Sequence, residues 1–148
     1  MSVSGNWYNE LGSVMSLSLE GSSITGTYQT AVGDANGIYQ LVGRIDIDGD
    51  PSVTGQAIGW VVLWSNDANG SSHSITVWSG QYQIIDGVEE IEALWLLTSE
   101  TPVDYDWTAT QINKDIFIRS ESSKETVMKA SKKRKPAYPP AILTASQK

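Results

Sequence analysis

From Asn6 to Arg119 the chain alternates apolar and polar residues in short runs, and each run ends in turn chemistry. A two-residue period is the pattern of a strand that faces inward on one side, and no helix-period segment interrupts it before residue 120. The pattern predicts strands over 6–10, 14–20, 23–30, 38–47, 53–65, 72–85, 89–98 and 107–119. The breaks between them are Gly21-Ser22, Gly33-Asp34-Ala35-Asn36-Gly37, Asp48-Gly49-Asp50-Pro51, Asn66-Asp67-Ala68-Asn69-Gly70 and Asp86-Gly87, all residues that supply tight turns. Eight short strands in up-and-down order predict an all-β antiparallel barrel, wide enough to hold one small ligand.

The aromatic residues say what such a barrel could hold. There are six Trp (Trp7, Trp60, Trp64, Trp78, Trp95 and Trp107) and one Phe, so the rings are not generic core filling. An indole is a flat apolar wall with a single N–H donor. Several of them beside small hydroxyl and amide side chains suit a ligand that is apolar in its body and polar at its edges. The alternation adds a second inference. Trp60, Val62 and Trp64 share one face while Val61 and Leu63 share the other. Ser74, Thr76 and Trp78 oppose Ile75 and Val77, and Ala93, Trp95 and Leu97 oppose Leu94 and Leu96. A lone barrel shows water a polar exterior, so two apolar faces imply that another subunit covers the outside.

Composition excludes several classes. Cys is absent, which removes disulfides, zinc–thiolate sites and thiol nucleophiles. No apolar run is long enough for a transmembrane helix, and Met1-Ser2-Val3-Ser4 shows no apolar signal region. Residues 1–119 carry 15 acidic and 3 basic residues, which argues against nucleic-acid binding by the barrel. Residues 120–148 carry 2 acidic and 7 basic residues, among them Lys132-Lys133-Arg134-Lys135, and are expected to form a separate, flexible basic tail. A solvated tail, or one resting on the acidic body, is favoured over a polyanion patch.

Catalytic constellations are thin. His73 is the single histidine and has no metal-ligand spacing around it, and no G-x-S-x-G elbow is present. Asp104 and Asp106 read as solvated loop carboxylates, and Asn69-Gly70-Ser71 is a formal glycosylation sequon. Asp115 lies in the last strand among apolar neighbours; taken alone it reads as an outward, solvated carboxylate, because an inward one needs donors.

Six segments taken together resemble a known family. They are Gly5-Asn6-Trp7-Tyr8-Asn9-Glu10-Leu11-Gly12-Ser13, Thr25-Gly26-Thr27-Tyr28, Ala31-Val32-Gly33, Gly59-Trp60-Val61-Val62-Leu63-Trp64, His73-Ser74-Ile75-Thr76-Val77-Trp78-Ser79-Gly80-Gln81-Tyr82 and Trp95-Leu96-Leu97-Thr98-Ser99. In this order they resemble the avidins and streptavidins, most closely the bacterial streptavidin type, over residues 4–119. The resemblance implies an eight-stranded barrel that binds biotin without cofactor, metal or catalysis, and that assembles as a homotetramer, a dimer of dimers. It assigns donors for the ureido oxygen to Asn9, Ser13 and Tyr28, an arrangement like an oxyanion hole. It assigns acceptors for the ureido N–H groups to Thr30 and Asp115, which turns Asp115 inward. Thr76 would face the thioether, and Ser74 with the loop of Val32, Gly33, Asp34 and Ala35 the valerate carboxylate. Trp64, Trp78, Trp95 and Leu97 would form the walls, and Trp107 would reach in from the neighbouring subunit. The family relation also implies a secreted protein that sequesters biotin as defence or antinutrient, although the N-terminal residues leave an intracellular one open. A barrel binding another small apolar ligand, as lipocalins do, is the alternative. Departures from the streptavidin pattern are Thr30 for Ser, Asp34 for Asn, and Gln111 and Lys114 where the family is apolar or neutral near a subunit interface.

Overall fold

The structure is a computed structural model that describes residues 2–30 and 37–120. The expectations for the loop residues Val32, Gly33, Asp34 and Ala35, and for the basic tail beyond Ser120, fall outside the described residues. Eight strands run in chain order: β1 (Gly5–Tyr8), β2 (Val14–Glu20), β3 (Ser23–Gln29), β4 (Tyr39–Ile45), β5 (Gln56–Asn66), β6 (Gly70–Ile85), β7 (Val88–Ser99) and β8 (Thr110–Ile118). Each pairs antiparallel with its neighbour, and β1 meets β8 at Tyr8 and Ile118, which closes the barrel.

The turns follow from the residues in them. Asp86 and Gly87 link Ile85 to Val88 with φ of 51° and 80°, the two positive values of a type I′ hairpin. Gly21 opens the two-residue link between Glu20 and Ser23 with φ 61°. The inward set is the apolar alternation of the sequence: Trp7, Met15, Leu17, Tyr28, Leu41, Val62, Trp78, Tyr82, Ile91 and Phe117 belong to one buried cluster.

One end of the barrel is shut. Val3 and Trp7 plug it, with the Trp7 indole N–H donating to the Val3 carbonyl at 2.8 Å. The Arg119 guanidinium lies 4.0 Å from the Trp7 ring centroid and donates twice to Glu89 at 3.1 Å, and Tyr82 donates to the same carboxylate at 2.7 Å. Partial desolvation works against ionisation of Glu89, but the bonds from Arg119 and Tyr82 outweigh it and hold its pKa below the ordinary value.

Of the expected limits those of β2 are met, the others move by one to three residues at one end or both, and three of the shifts have a visible cause. β1 ends at Tyr8, because Asn9 starts a side-chain-capped turn. β5 begins at Gln56, because Val53 and Thr54 both donate backbone N–H groups to the Asp50 carbonyl at 3.0 Å and form a turn. The strand expected from Trp107 begins at Thr110; Trp107 belongs to a 3-10 helix over Val103–Thr108. Pro102 presets its entry, Asp104 and Asp106 sit favourably in its first turn, and Thr108 donates to the Tyr105 carbonyl at 2.7 Å. Among the described residues no helix is long and apolar enough to cross a membrane.

Candidate functional site

The open end leads into a cavity of about 390 Å³, within the usual range for small-molecule sites. Its floor and sides come from Asn9, Ser13, Tyr28, Thr30, Trp64, Ser74, Thr76, Trp78, Trp95, Leu97 and Asp115, joined by Leu11 and Ser72.

The polar side of the cavity is assembled by the β1–β2 turn and β3. Asn9 Oδ1 accepts the backbone N–H of Leu11 at 3.0 Å and of Ser13 at 2.9 Å, so the side chain closes its own turn. That fixes the amide the other way round: Nδ2 points at the Tyr28 oxygen, 3.4 Å away. Ser13, which enters β2, hydrogen-bonds to Tyr28, and all three side chains are buried. Burial, then the charge of Asp115, raises the Tyr28 hydroxyl against the bond to Ser13, so Tyr28 stays a neutral donor at any physiological pH. Three donors therefore converge on one corner of a largely apolar cavity.

Asp115 stands on β8 opposite Ala93 and is 5% exposed. The Trp78 indole N–H donates to its Oδ2 at 3.0 Å, and Trp95 adds a hydrogen bond. Burial pushes the carboxyl up to about 6, and a neighbouring carboxyl, Glu10, adds to the rise, against the two indole bonds. The inward orientation replaces the solvated one that the residue type alone suggests.

The walls are rings held by one another. Tyr28 is tilted against Trp78 at 5.1 Å and edge-on to Trp64 at 5.6 Å. Trp60 stacks on the far side of Trp78 at 5.4 Å and 14°. It is buried, and among the described residues its N–H meets no acceptor. Trp64 donates to Thr76 Oγ1 at 2.8 Å, which ties wall to floor. This part of the sheet is irregular: between the pairs Leu63–Ile75 and Ser65–Ser71 the register shifts, and His73 adopts φ 55°. The bulge aims two hydroxyls at the cavity, Ser72 and Ser74, which are 2.8 Å apart. Its far side is anchored by His73 and Glu100, 3.2 Å apart.

The sequence pattern passed over Ser72, Leu11 and Glu10. Ser72 follows from a bulge that alternation does not announce, and Leu11 is an exposed rim residue. Trp107 is 67% exposed and does not line the cavity of its own chain. Asp104 and Asp106 are exposed, as the solvated reading expects. Among the described residues no group of three or more His, Cys, Asp or Glu side chains is gathered around a potential metal position.

Comparison with known proteins adds a separate line of evidence. The family model described as the Avidin family matches residues 1–120. The chain is similar to Avidin-related protein 4/5 of Gallus gallus, 35% identical over 122 residues, covering 80% of this chain and 77% of that one. It is also similar to Avidin of Gallus gallus, 34% identical over 129 residues and covering 84% and 82% of the two chains. Fold, aromatic cavity and sequence similarity over most of both chains lead to one assignment: the chain belongs to the avidin family.

Proposed function

We propose that the chain binds biotin in the barrel mouth, non-covalently, with high affinity and without chemistry. The observation that carries this reading is the convergence of Asn9, Ser13 and Tyr28 donors across from the buried Asp115 carboxylate in an indole-walled cavity. A cyclic urea needs donors around its oxygen and an acceptor for its N–H, and a thioether ring needs apolar walls. Thr30 would take the second N–H, Thr76 would face the sulfur, and Ser74 and the loop at Asp34 the valerate carboxylate. The donors are already bonded to one another, so little ordering remains to be done on binding, and affinity gains accordingly. Biotin is a ligand in this reading; no cofactor or metal takes part, and a base–nucleophile pair is not assembled among the described cavity residues.

The proposed assembly is a homotetramer, a dimer of dimers, in which Trp107 of one chain covers the cavity of its neighbour. Its support is the exposed Trp107 and the apolar outer face of β5–β7. The proposed organisation is a barrel over residues 1–119 and a distinct basic tail over 120–148. The proposed role is biotin sequestration, as defence or antinutrient, by a secreted protein.

The test is a biotin titration followed by Trp fluorescence, with Asp115→Ala beside the wild type. A sharp break at one biotin per chain, blunted by the substitution, is the expected result. No spectral change on adding biotin in excess would remove biotin and leave a lipocalin-like barrel for another small apolar ligand.

A further inference from the structure

Glu10 has no part in the binding scheme above, yet the fold places it against the residue on which that scheme depends. β1 stops at Tyr8 and meets β8 only at Ile118, so the seam above that pair lacks a backbone partner. Glu10 fills the gap: its Oε2 accepts the Ile116 backbone N–H at 3.2 Å. Ile116 is the next residue after Asp115, so this bond holds the Glu10 carboxyl beside that of Asp115, where it works against ionisation of Asp115 in addition to burial. Two ionised carboxylates side by side repel each other, which favours a proton on one of the pair.

The two groups sit in unequal surroundings. Glu10 accepts a backbone N–H and is the more exposed of the two. Asp115 is almost wholly buried. Among the described residues the other charged groups nearby are engaged elsewhere. Lys114 turns to Glu92 on the outer face at 3.1 Å, Arg119 is engaged by Glu89 at the shut end, and Tyr28 across the cavity is a neutral hydroxyl. From β6 and β7 come only the indole donors of Trp78 and Trp95.

We infer that Glu10 is a positioning residue that keeps a proton on Asp115 in the empty site, so that a ligand must displace this proton to lay its N–H on the carboxylate. The inference rests on the biotin reading for its ligand and on the carboxyl pair for its mechanism. A neutral carboxyl is a weaker acceptor than a carboxylate, and a ligand N–H laid on Asp115 favours the ionised form, so binding in acid releases a proton to solvent and is weaker there. With the Asp115 carboxyl pushed up to about 6, the pH range affected lies below neutrality. A Gln at position 10 would accept from Ile116 through its carbonyl and donate to Asp115 through its amide, which holds Asp115 ionised.

The probe is biotinamide, whose carboxyl is capped and cannot itself titrate. Its binding is measured by calorimetry in two buffers of different ionisation enthalpy, from about pH 5 to about pH 8. For the wild type, proton release at about pH 6, none at about pH 8, and a roughly tenfold weaker dissociation constant at about pH 5 than at about pH 7 are expected. Glu10→Gln keeps Asp115 buried but removes the second carboxyl, so its affinity should fall less steeply in acid and its midpoint should move to lower pH, with tighter binding than the wild type in acid. A wild type that binds at about pH 8 yet releases no proton at about pH 6 overturns the inference, as does a Glu10→Gln profile with the wild-type slope. A carboxyl-carbon NMR titration of Asp115 in the ligand-free protein separates the two readings. If biotinamide does not bind even at about pH 8, the biotin reading fails, while a midpoint near about 6 that falls in Glu10→Gln still upholds the carboxyl pair.

Discussion

Asn9 and Asp115 show how much of this site is decided by single side chains with two obligations. The Asn9 oxygen holds the turn and its nitrogen faces the cavity. Asn9→Ala should therefore lower both stability and affinity, each by about 1–2 kcal/mol, whereas Ser13→Ala removes a cavity hydroxyl without touching the Asn9 turn acceptor. Thermal melts and biotin dissociation rates, read together, separate the two. For Asp115 the two obligations oppose each other. Its carboxyl titrates at 3.8 ordinarily and at about 6 in the fold, so between those values the folded state holds more protons than the unfolded one. Stability then falls as pH rises through that window, and above it the deficit is complete, about 3 kcal/mol. Asp115→Asn should melt higher than the ligand-free wild type at neutral pH, with the gain fading towards about pH 4, and should bind biotin less tightly. A variant that melts lower at every pH would refute the burial argument. Alternation alone could not reveal this residue, since its donor Trp78 lies 37 positions away in the chain. Only the family resemblance turned Asp115 inward at the level of sequence. Glu10 escaped both routes, because its role depends on a gap between the first strand and the last.

The strands themselves were legible because alternation and turn chemistry are local. β2 matches its expected limits residue for residue, and the Asp86-Gly87 hairpin lies where two residues of that type must lie. What alternation cannot report is how closely strands approach. Gly43 and Gly80 sit at inward positions where a Cβ would lie 2.3 Å from the Gly59 carbonyl oxygen and 1.9 Å from that of Glu92. Gly43 is also directly opposite Trp60, and its missing side chain leaves room for that indole. Nor does alternation foresee the 3-10 helix at Val103–Thr108 or the bulge opposite Trp64, since neither has a two-residue period. The shut end offers the clearest test of an element junction. Arg119 joins the end of β8 to β7 through Glu89, to β1 through Trp7 and to the N-terminal segment through the carbonyls of Ser2 and Ser4. Arg119→Met keeps length and removes the charge, leaving the partly buried Glu89 without its guanidinium. A loss of about 2–3 kcal/mol is expected, with biotin affinity little changed because the cavity is at the opposite end. Glu89 titrates below its ordinary 4.5 in the fold, so the contribution of this clasp is complete above that value and disappears as pH falls through the lower, folded one. Denaturant melts of both proteins at neutral and acid pH check it; equal midpoints at neutral pH would assign the clasp no energetic role.

A barrel that kept its indoles inside could be a monomer, but this one also leaves apolar side chains outside. Leu63 is 57% exposed and Leu96 47%, and Val42 and Val77 are exposed on the same side. Leu96 pairs with Val77 on one flank and Ile112 on the other, so the outward face is a continuous apolar strip across three strands. Water contact on such a strip is unfavourable by roughly 25 cal/mol per Å², which an isologous contact between copies would relieve. Gln111 pairs with the cavity-lining Leu97, but Lys114 shares the outward face of Ile112 and bears against a tight contact, although it brings its own counter-charge, Glu92 at 3.1 Å. The charge therefore enters an interface as a pair and not as a lone ion, and a paired charge lowers affinity far less than an isolated one. Light scattering should accordingly give a particle of about four times 16.1 kDa for the wild type. Leu96→Lys places a cation in the middle of the strip and should give a smaller, still folded species. Trp107→Ala should act differently, because its ring is expected to touch a neighbour's ligand: the biotin dissociation rate should rise by tenfold or more, on the order of what an interface Trp contributes, while Asp115 and the donor corner stay intact. If the wild type scatters as a single chain, or if Trp107→Ala releases biotin no faster than the wild type, each barrel completes its own site and the apolar strip has some other occupant.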